Sequence, residues 1–228
     1  MNESGNANEM ESPLIEVERK FVPTVGVEQV LIESGACLVR RERFTDSYVD
    51  NTDWTLTLRN HWLRRRDRRW ELKCPLAVSA AADVPPDTEF DILTQRYLEV
   101  FTEPEIISKV SDLMEIDGSS LCSVNDLLLQ AGLLEFAKFT TERQCFKLPA
   151  EVTVVLDRTD FGWSVGELEI MCRDQGELEQ AVITLEHLTR DLRLEIGPNT
   201  IGKMSAYLRQ NNPAHYKKLL EAHVLFEK

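Results

Sequence analysis

Ile15-Glu16-Val17-Glu18-Arg19-Lys20 is the stretch whose reading decides the fold. Read as a strand, its side chains alternate between two faces. Glu16, Glu18 and Lys20 fall on one face, and Ile15, Val17 and Phe21 fall on the other. Two carboxylates and an ammonium in a row make a poor apolar core. They suit an ion-binding face, with carboxylates for a hard cation and an ammonium for the phosphate it escorts. A solvated strand face with mixed charge is the plainer alternative.

The other strands decide between these readings. Leu38–Tyr48, His61–Arg66, Arg69–Cys74, Thr88–Leu93, Phe136–Leu148, Val152–Arg158 and Val165–Cys172 all read as strands, which with the first makes eight. Trp62, Arg64 and Arg66 share a face, as do Glu71 and Lys73, Glu89 and Asp91, and Glu167 and Glu169. Arg143 and Asp157 add one charge each. A Glu-x-Glu pair on a strand presents two carboxylates about 7 Å apart on one side. Arg-x-Arg presents two guanidinium forks to one phosphate chain. A closed antiparallel barrel gives both sets one place to point, its lumen. The expected class is therefore α+β, an eight-stranded antiparallel closed barrel with flanking helices. Helices are expected at Val27–Glu33, from the Thr102/Glu105 capping box to Met114, from Ser123 to Gly132, and through much of the C-terminal third.

Composition bounds the function. The chain has 228 residues, 43% of them hydrophobic, with a formal net charge of −13. That charge argues against general nucleic-acid binding. The arginines crowd between Arg40 and Arg69, which points to a local anion site. No run approaches the length of a membrane-spanning helix. Residues 1–13 are expected to be a disordered tail rather than a signal peptide, and 14–228 a single domain. The five cysteines show no CxxC pair and no zinc spacing, which fits free thiols in a reducing cytosol.

Glu16-Val17-Glu18-Arg19-Lys20 matches the ExExK signature of the CYTH, or triphosphate tunnel metalloenzyme, superfamily. His61-Trp62-Leu63-Arg64-Arg65-Arg66, Trp70-Glu71-Leu72-Lys73-Cys74-Pro75, Thr88-Glu89-Phe90 and Asp160-Phe161-Gly162-Trp163-Ser164-Val165-Gly166-Glu167-Leu168-Glu169 extend the resemblance over nearly the whole chain, toward the members that act on thiamine triphosphate. The resemblance implies Mg²⁺-dependent hydrolysis of thiamine triphosphate to thiamine diphosphate and phosphate by a cytoplasmic monomer. By the same resemblance Glu16, Glu18, Asp157, Glu167 and Glu169 would hold the metal. Lys20, Trp62, Arg64, Arg66, Lys73, Arg143, Glu167 and Lys203 would hold the substrate, with Trp62 facing the thiamine rings. Lys73 and Glu89 would be catalytic. Two departures stand out. An Asp-x-Asp run in the family reads Val155-Leu156-Asp157, where Asp157 keeps the inward parity, and Tyr48-Val49-Asp50 is read as a packing change. A less selective tripolyphosphatase and a non-catalytic polyphosphate-binding module are the rival readings.

Overall fold

The computed structural model describes residues 14–76, 94–149, 151–196 and 200–225. The strands in chain order are β1 (Ile15–Phe21), β2 (Cys37–Asp50), β3 (Trp62–Arg66), β4 (Arg69–Pro75), β5 (Thr94–Val100), β6 (Leu134–Lys147), β7 (Thr153–Thr159) and β8 (Ser164–Cys172). They close into one barrel in the order β1-β5-β4-β3-β2-β6-β7-β8, with every neighbouring pair antiparallel. The helices are α1 (Val27–Glu33), α2 (Glu103–Met114), α3 (Val124–Ala131), α4 (Leu178–Asp191), α5 (Lys203–Asn211) and α6 (Pro213–Glu221). The expected α+β barrel is the one found. No helix among the described residues is long and apolar enough to cross a membrane.

The fifth strand differs from the expectation. Thr88–Leu93, with Glu89 and Asp91, lies outside the described residues, as does the expected tail at 1–13. The strand that pairs with both β1 and β4 is Thr94–Val100. Its start, Thr94-Gln95-Arg96, offers no apolar alternation, so nothing local marks it as a strand. Long-range pairing on both edges makes it one.

On β1, β3, β4, β5, β7 and β8 the outward parity is built around apolar residues that helices cover, while the outer face of β2 and β6 is exposed at Arg41, Arg43, Lys138 and Glu142. Val17, Phe21, Val154 and Leu168 pack against Leu31 of α1 and Ala181 and Leu185 of α4. Leu63, Leu72 and Val100 pack against Ile106 and Val110 of α2 and Leu127 of α3. α1, α2, α3 and α4 each lay an apolar stripe on that part of the wall, and the charged parity of the strands beneath them faces inward.

Helix entry follows the expected signals with one change. Ser123 Oγ accepts from the Asp126 amide at 3.2 Å and donates to Asp126 Oδ2 at 2.8 Å at the start of α3. At α2 the Thr102 hydroxyl bonds the Glu105 carboxylate at 2.6 Å, so this pair satisfies itself rather than the backbone amides.

Tyr48-Val49-Asp50 is more than a packing change. Asp50 accepts from the Leu56 amide at 3.1 Å, the Thr57 amide at 2.8 Å and the Thr57 hydroxyl at 2.7 Å. Thr57 Oγ1 in turn lies 2.8 Å from Nε2 of His215 on α6. With its proton committed to Asp50, the hydroxyl accepts there, which fixes the histidine's proton on Nε2. His215 stacks on Trp54 with ring centroids 4.5 Å apart. Burial holds it neutral, with its pKa lowered to about 4. A buried carboxylate thus ties the turn after β2 to the last helix, and hydrophobic packing is not its only content.

Gly166, on β8 opposite Phe21 of β1, has no room for a side chain: a Cβ there would lie 2.2 Å from Phe21 Cζ. Gly166→Ala is expected to destabilise the barrel by about 1–3 kcal/mol, the scale of core overpacking. Urea unfolding with the slope unchanged checks this. A loss below about 0.5 kcal/mol would mean that the β1–β8 seam yields more easily than described.

Candidate functional site

Register carries the inward parity around the barrel. Glu18 faces Glu169 across β1–β8 and Gln95 across β1–β5, and Lys20 faces Glu167. Lys73 faces Glu99 and Trp62, Arg64 faces Glu71 and Tyr48, and Arg66 faces Asp46. Arg143 faces Asp157. All of these but Asp46 and Asp157 line a cavity of about 340 Å³ in the barrel, with Lys203 and Met204 of α5 and Val224 and Leu225 beyond α6 in its wall.

Acids gather in one corner. Carboxylate oxygens of Glu16, Glu18 and Glu169 lie within 4.8 Å of one another. Lys73 pairs with Glu16, reaches Glu99 at 3.3 Å and Glu18 at 3.7 Å. Lys20 pairs with Glu18 and Gln95 and lies 3.9 Å from Glu167. Glu169 makes no hydrogen bond or ion pair of its own among the described residues, although it lies in the field of Arg143. The corner is short of positive charge, and its donors are hard oxygens. That is the chemistry of a divalent-cation site of the Mg²⁺ or Ca²⁺ kind, and the three glutamates fit such an ion.

Cations line the rest. Arg143 grips Asp157 through two hydrogen bonds of 2.7 Å and reaches Glu167 at 3.4 Å. Lys203 pairs with Asp157 and lies 3.5 Å from Glu167. Arg66 holds Asp46 at 2.8 and 3.0 Å. Arg64 donates to Glu71 at 2.8 Å and to the Tyr48 hydroxyl at 3.1 Å. The Phe44 ring supports two of these guanidiniums, Arg66 at 4.0 Å and Arg143 at 5.4 Å from its centroid. Arg65, of the other parity, is exposed and lies over Trp70 on the outside.

The electrostatics divide the carboxylates into two kinds. Burial raises Glu169 to about 8, with Arg143 opposing and the neighbouring glutamates adding to the rise. Burial likewise raises Glu16 to about 7 against the pull of Lys73. Burial also presses Glu18 and Glu167 upward, but Lys20 and Lys73 at Glu18, and Lys203, Lys20 and Arg143 at Glu167, outweigh it and hold both below the ordinary range. Lys73, whose charge burial opposes, is kept protonated by Glu16, Glu18 and Glu99.

The structure therefore splits the acid set expected from sequence. Glu16, Glu18 and Glu169 meet as one group. Asp157 and Glu167 stand with Arg143 and Lys203. Lys20, Trp62, Arg64, Arg66, Lys73, Arg143 and Lys203 all reach the cavity. Glu89 lies outside the described residues, and the β5 acid that meets Lys73 is Glu99. Sequence reasoning also passed over Asp46, Tyr48, Tyr97 and Asn60. Asp46 and Tyr48 share a parity on β2 that could have been followed inward. Asn60 sits in a turn and carries no such signal.

A closed barrel with an acid corner and facing cations defines the class: a tunnel protein built for a polyphosphate accompanied by a metal ion. The chain belongs to the CYTH domain family, which matches residues 14–197. It is 36% identical to thiamine-triphosphatase of Homo sapiens over 221 residues, covering 93% of this chain and 92% of that protein. It is 35% identical to thiamine-triphosphatase of Macaca fascicularis over the same shares. A protein of Pyrococcus horikoshii shares the fold, with a TM-score of 0.58 at 19% identity over 86% of this chain and 99% of that one.

Raised carboxyl groups carry a stability consequence. A carboxyl held above its ordinary value favours the folded state when protonated, so its contribution is lost as pH rises from about 4.5 through 7–8. The metal-free protein is expected to melt lower at pH 9 than at pH 6.5. Glu169→Gln, which removes one of the crowded charges, is expected to raise the melting temperature at pH 9 by about 2–4 °C. Calorimetry in chelator at both pH values measures this. A variant that melts lower than the parent at pH 9 would contradict the crowding of the acid corner.

Proposed function

We propose that the protein hydrolyses thiamine triphosphate to thiamine diphosphate and phosphate, with Mg²⁺ as its metal, in the cytosol. The observation that carries this is the cavity itself. It joins an under-compensated acid corner, a wall of inward cations and a tryptophan on one strand-lined surface. The similarity to thiamine-triphosphatases over nearly the full length supports the choice of substrate. The five cysteines, all unpaired, go with a reducing compartment.

Glu16, Glu18 and Glu169 would hold the ion, which when bound supplies charge neutralisation on the phosphoryl oxygens. Phosphoryl transfer asks the protein for positioning and charge more than for a covalent nucleophile. Arg64, Arg66, Arg143, Lys20 and Lys203 bind the phosphate chain. Asp46, Glu71, Asp157 and Glu167 hold those cations in place before substrate arrives, which limits the ordering left to do on binding. Lys73 stays charged between Glu16, Glu18 and Glu99, so it acts as a donor to phosphoryl oxygens and not as a base.

Trp62 supplies the organic end. It is half-buried, packs against the buried groups that include Tyr48 and Phe139 and Leu208 and Tyr216, and shares the inward face with Arg64 and Arg66. An indole beside the phosphate site offers a π-face to the thiazolium cation. Inorganic tripolyphosphate has no ring to place there.

The test is phosphate release from thiamine triphosphate, ATP and tripolyphosphate with Mg²⁺ and with chelator. Thiamine triphosphate is expected to have the highest kcat/KM, and chelator to abolish turnover. Trp62→Ala is expected to cost about 1–2 kcal/mol in kcat/KM for thiamine triphosphate and less for tripolyphosphate. A higher kcat/KM for tripolyphosphate in the parent protein would favour the less selective tripolyphosphatase. No turnover of any of the three would favour a binding module.

A further inference from the structure

Asn60 closes the 3₁₀ turn Thr57–Arg59 and carries a left-handed backbone, with φ 58°. Its amide nitrogen donates to the Thr57 carbonyl at 2.9 Å, which anchors the residue to the Asp50–Thr57–His215 link. Its side chain lines the cavity. The Trp62 indole Nε1–H donates to Asn60 Oδ1 at 2.9 Å. The Tyr97 hydroxyl donates to the same oxygen at 3.1 Å. An indole N–H can only donate, so the atom facing it must be the amide oxygen, and the side-chain orientation is settled by chemistry.

One carbonyl oxygen therefore joins two aromatic residues from the strands on either side of β4, Trp62 on β3 and Tyr97 on β5. Tyr97 is itself placed, because its ring lies 5.6 Å from the Lys73 ammonium and is buried. Trp62 packs against the buried groups formed by Tyr48, Ala137 and Phe139 and by Leu208, Tyr216 and Leu219. Apolar contact of this kind is non-directional and places the indole without dictating where its N–H points. The hydrogen bond selects one ring plane.

We propose that Asn60 is a positioning residue for Trp62, and that it sets the selectivity for a triphosphate carrying an organic cation over an inorganic one. The inference rests on the substrate proposed above. A ring held in one plane presents its π-face to the ligand without paying ordering entropy on binding. A cation–π contact is sensitive to that plane, since the favourable region lies over the face. Loss of the acceptor should therefore raise KM for the organic substrate more than it changes kcat, the pattern of lost uniform binding.

Asn60→Gly removes the acceptor while keeping the positive φ free of strain. Asn60→Asp keeps an oxygen in the same place. Two readouts separate this inference from the proposed activity. The first is the indole N–H resonance of Trp62, identified as the one missing in Trp62→Phe. In Asn60→Gly it is expected to shift upfield and exchange faster with solvent, and in Asn60→Asp to stay protected. The second is the ratio of kcat/KM for thiamine triphosphate to that for tripolyphosphate. It is expected to fall about tenfold in Asn60→Gly, through KM, and to recover to within about threefold of the parent in Asn60→Asp. An unmoved indole resonance, an unchanged ratio, or an Asp variant as impaired as the Gly variant would overturn the proposal. If the parent protein does not turn over thiamine triphosphate at all, the substrate assignment has failed, and the resonance alone then decides whether Asn60 holds the ring.

Discussion

Arg143 on β6 reaches Asp157 on β7 through two hydrogen bonds of 2.7 Å, and Asp157 also receives Lys203 from α5. The Asp157 side chain is fully buried. An ionised carboxylate in that position is tolerable only with its partners present, and removing one partner of such a pair costs about 3–5 kcal/mol. The same constraint repeats around the lumen at Arg66–Asp46, Arg64–Glu71 and Lys73–Glu16. Where helices cover β1, β3, β4, β5, β7 and β8, the apolar parity goes outward to them and the charged parity goes inward. Once inward, each charge has to find its opposite on the next strand or helix. The tunnel is the arrangement that satisfies both demands.

One corner is left short of positive charge. Glu16, Glu18 and Glu169 converge; Lys73 and Lys20 pair with the first two, and Arg143 acts on Glu169 without an ion pair among the described residues. The raised carboxyls of Glu16 and Glu169 register the shortfall. Crowded like charges lower stability, and proteins keep them where a bound ion repays the cost. On the cation side the balance is already kept, so the phosphate chain of the proposed substrate would meet guanidiniums aimed by carboxylates.

Most of this was legible in strand parity. Glu16 and Glu18 alternate with Ile15 and Val17, and Arg64 and Arg66 flank an exposed Arg65. Period-two alternation survives translation into structure because it depends only on backbone geometry. What parity cannot give is register, which decides whom each charge meets. Asp157 and Glu167 carry the same inward parity as Glu169, yet pairing across β6–β7 and β7–β8 places them with Arg143 and Lys203. β5 was hidden for a different reason. Thr94-Gln95-Arg96 is polar on both faces, and only its neighbours β1 and β4 make it a strand. Asn60 was invisible because its role depends on two side chains from different strands meeting one oxygen.

The three glutamates, and not the Asp157–Glu167 pair, are the site we propose for the metal. Anomalous diffraction from crystals soaked in Mn²⁺, with wavelengths on either side of the manganese edge, tests it directly. The anomalous peak is expected within about 2.5 Å of carboxylate oxygens from Glu16, Glu18 and Glu169, the range of hard-cation coordination. A peak on Asp157 and Glu167 with none in the glutamate corner would contradict it.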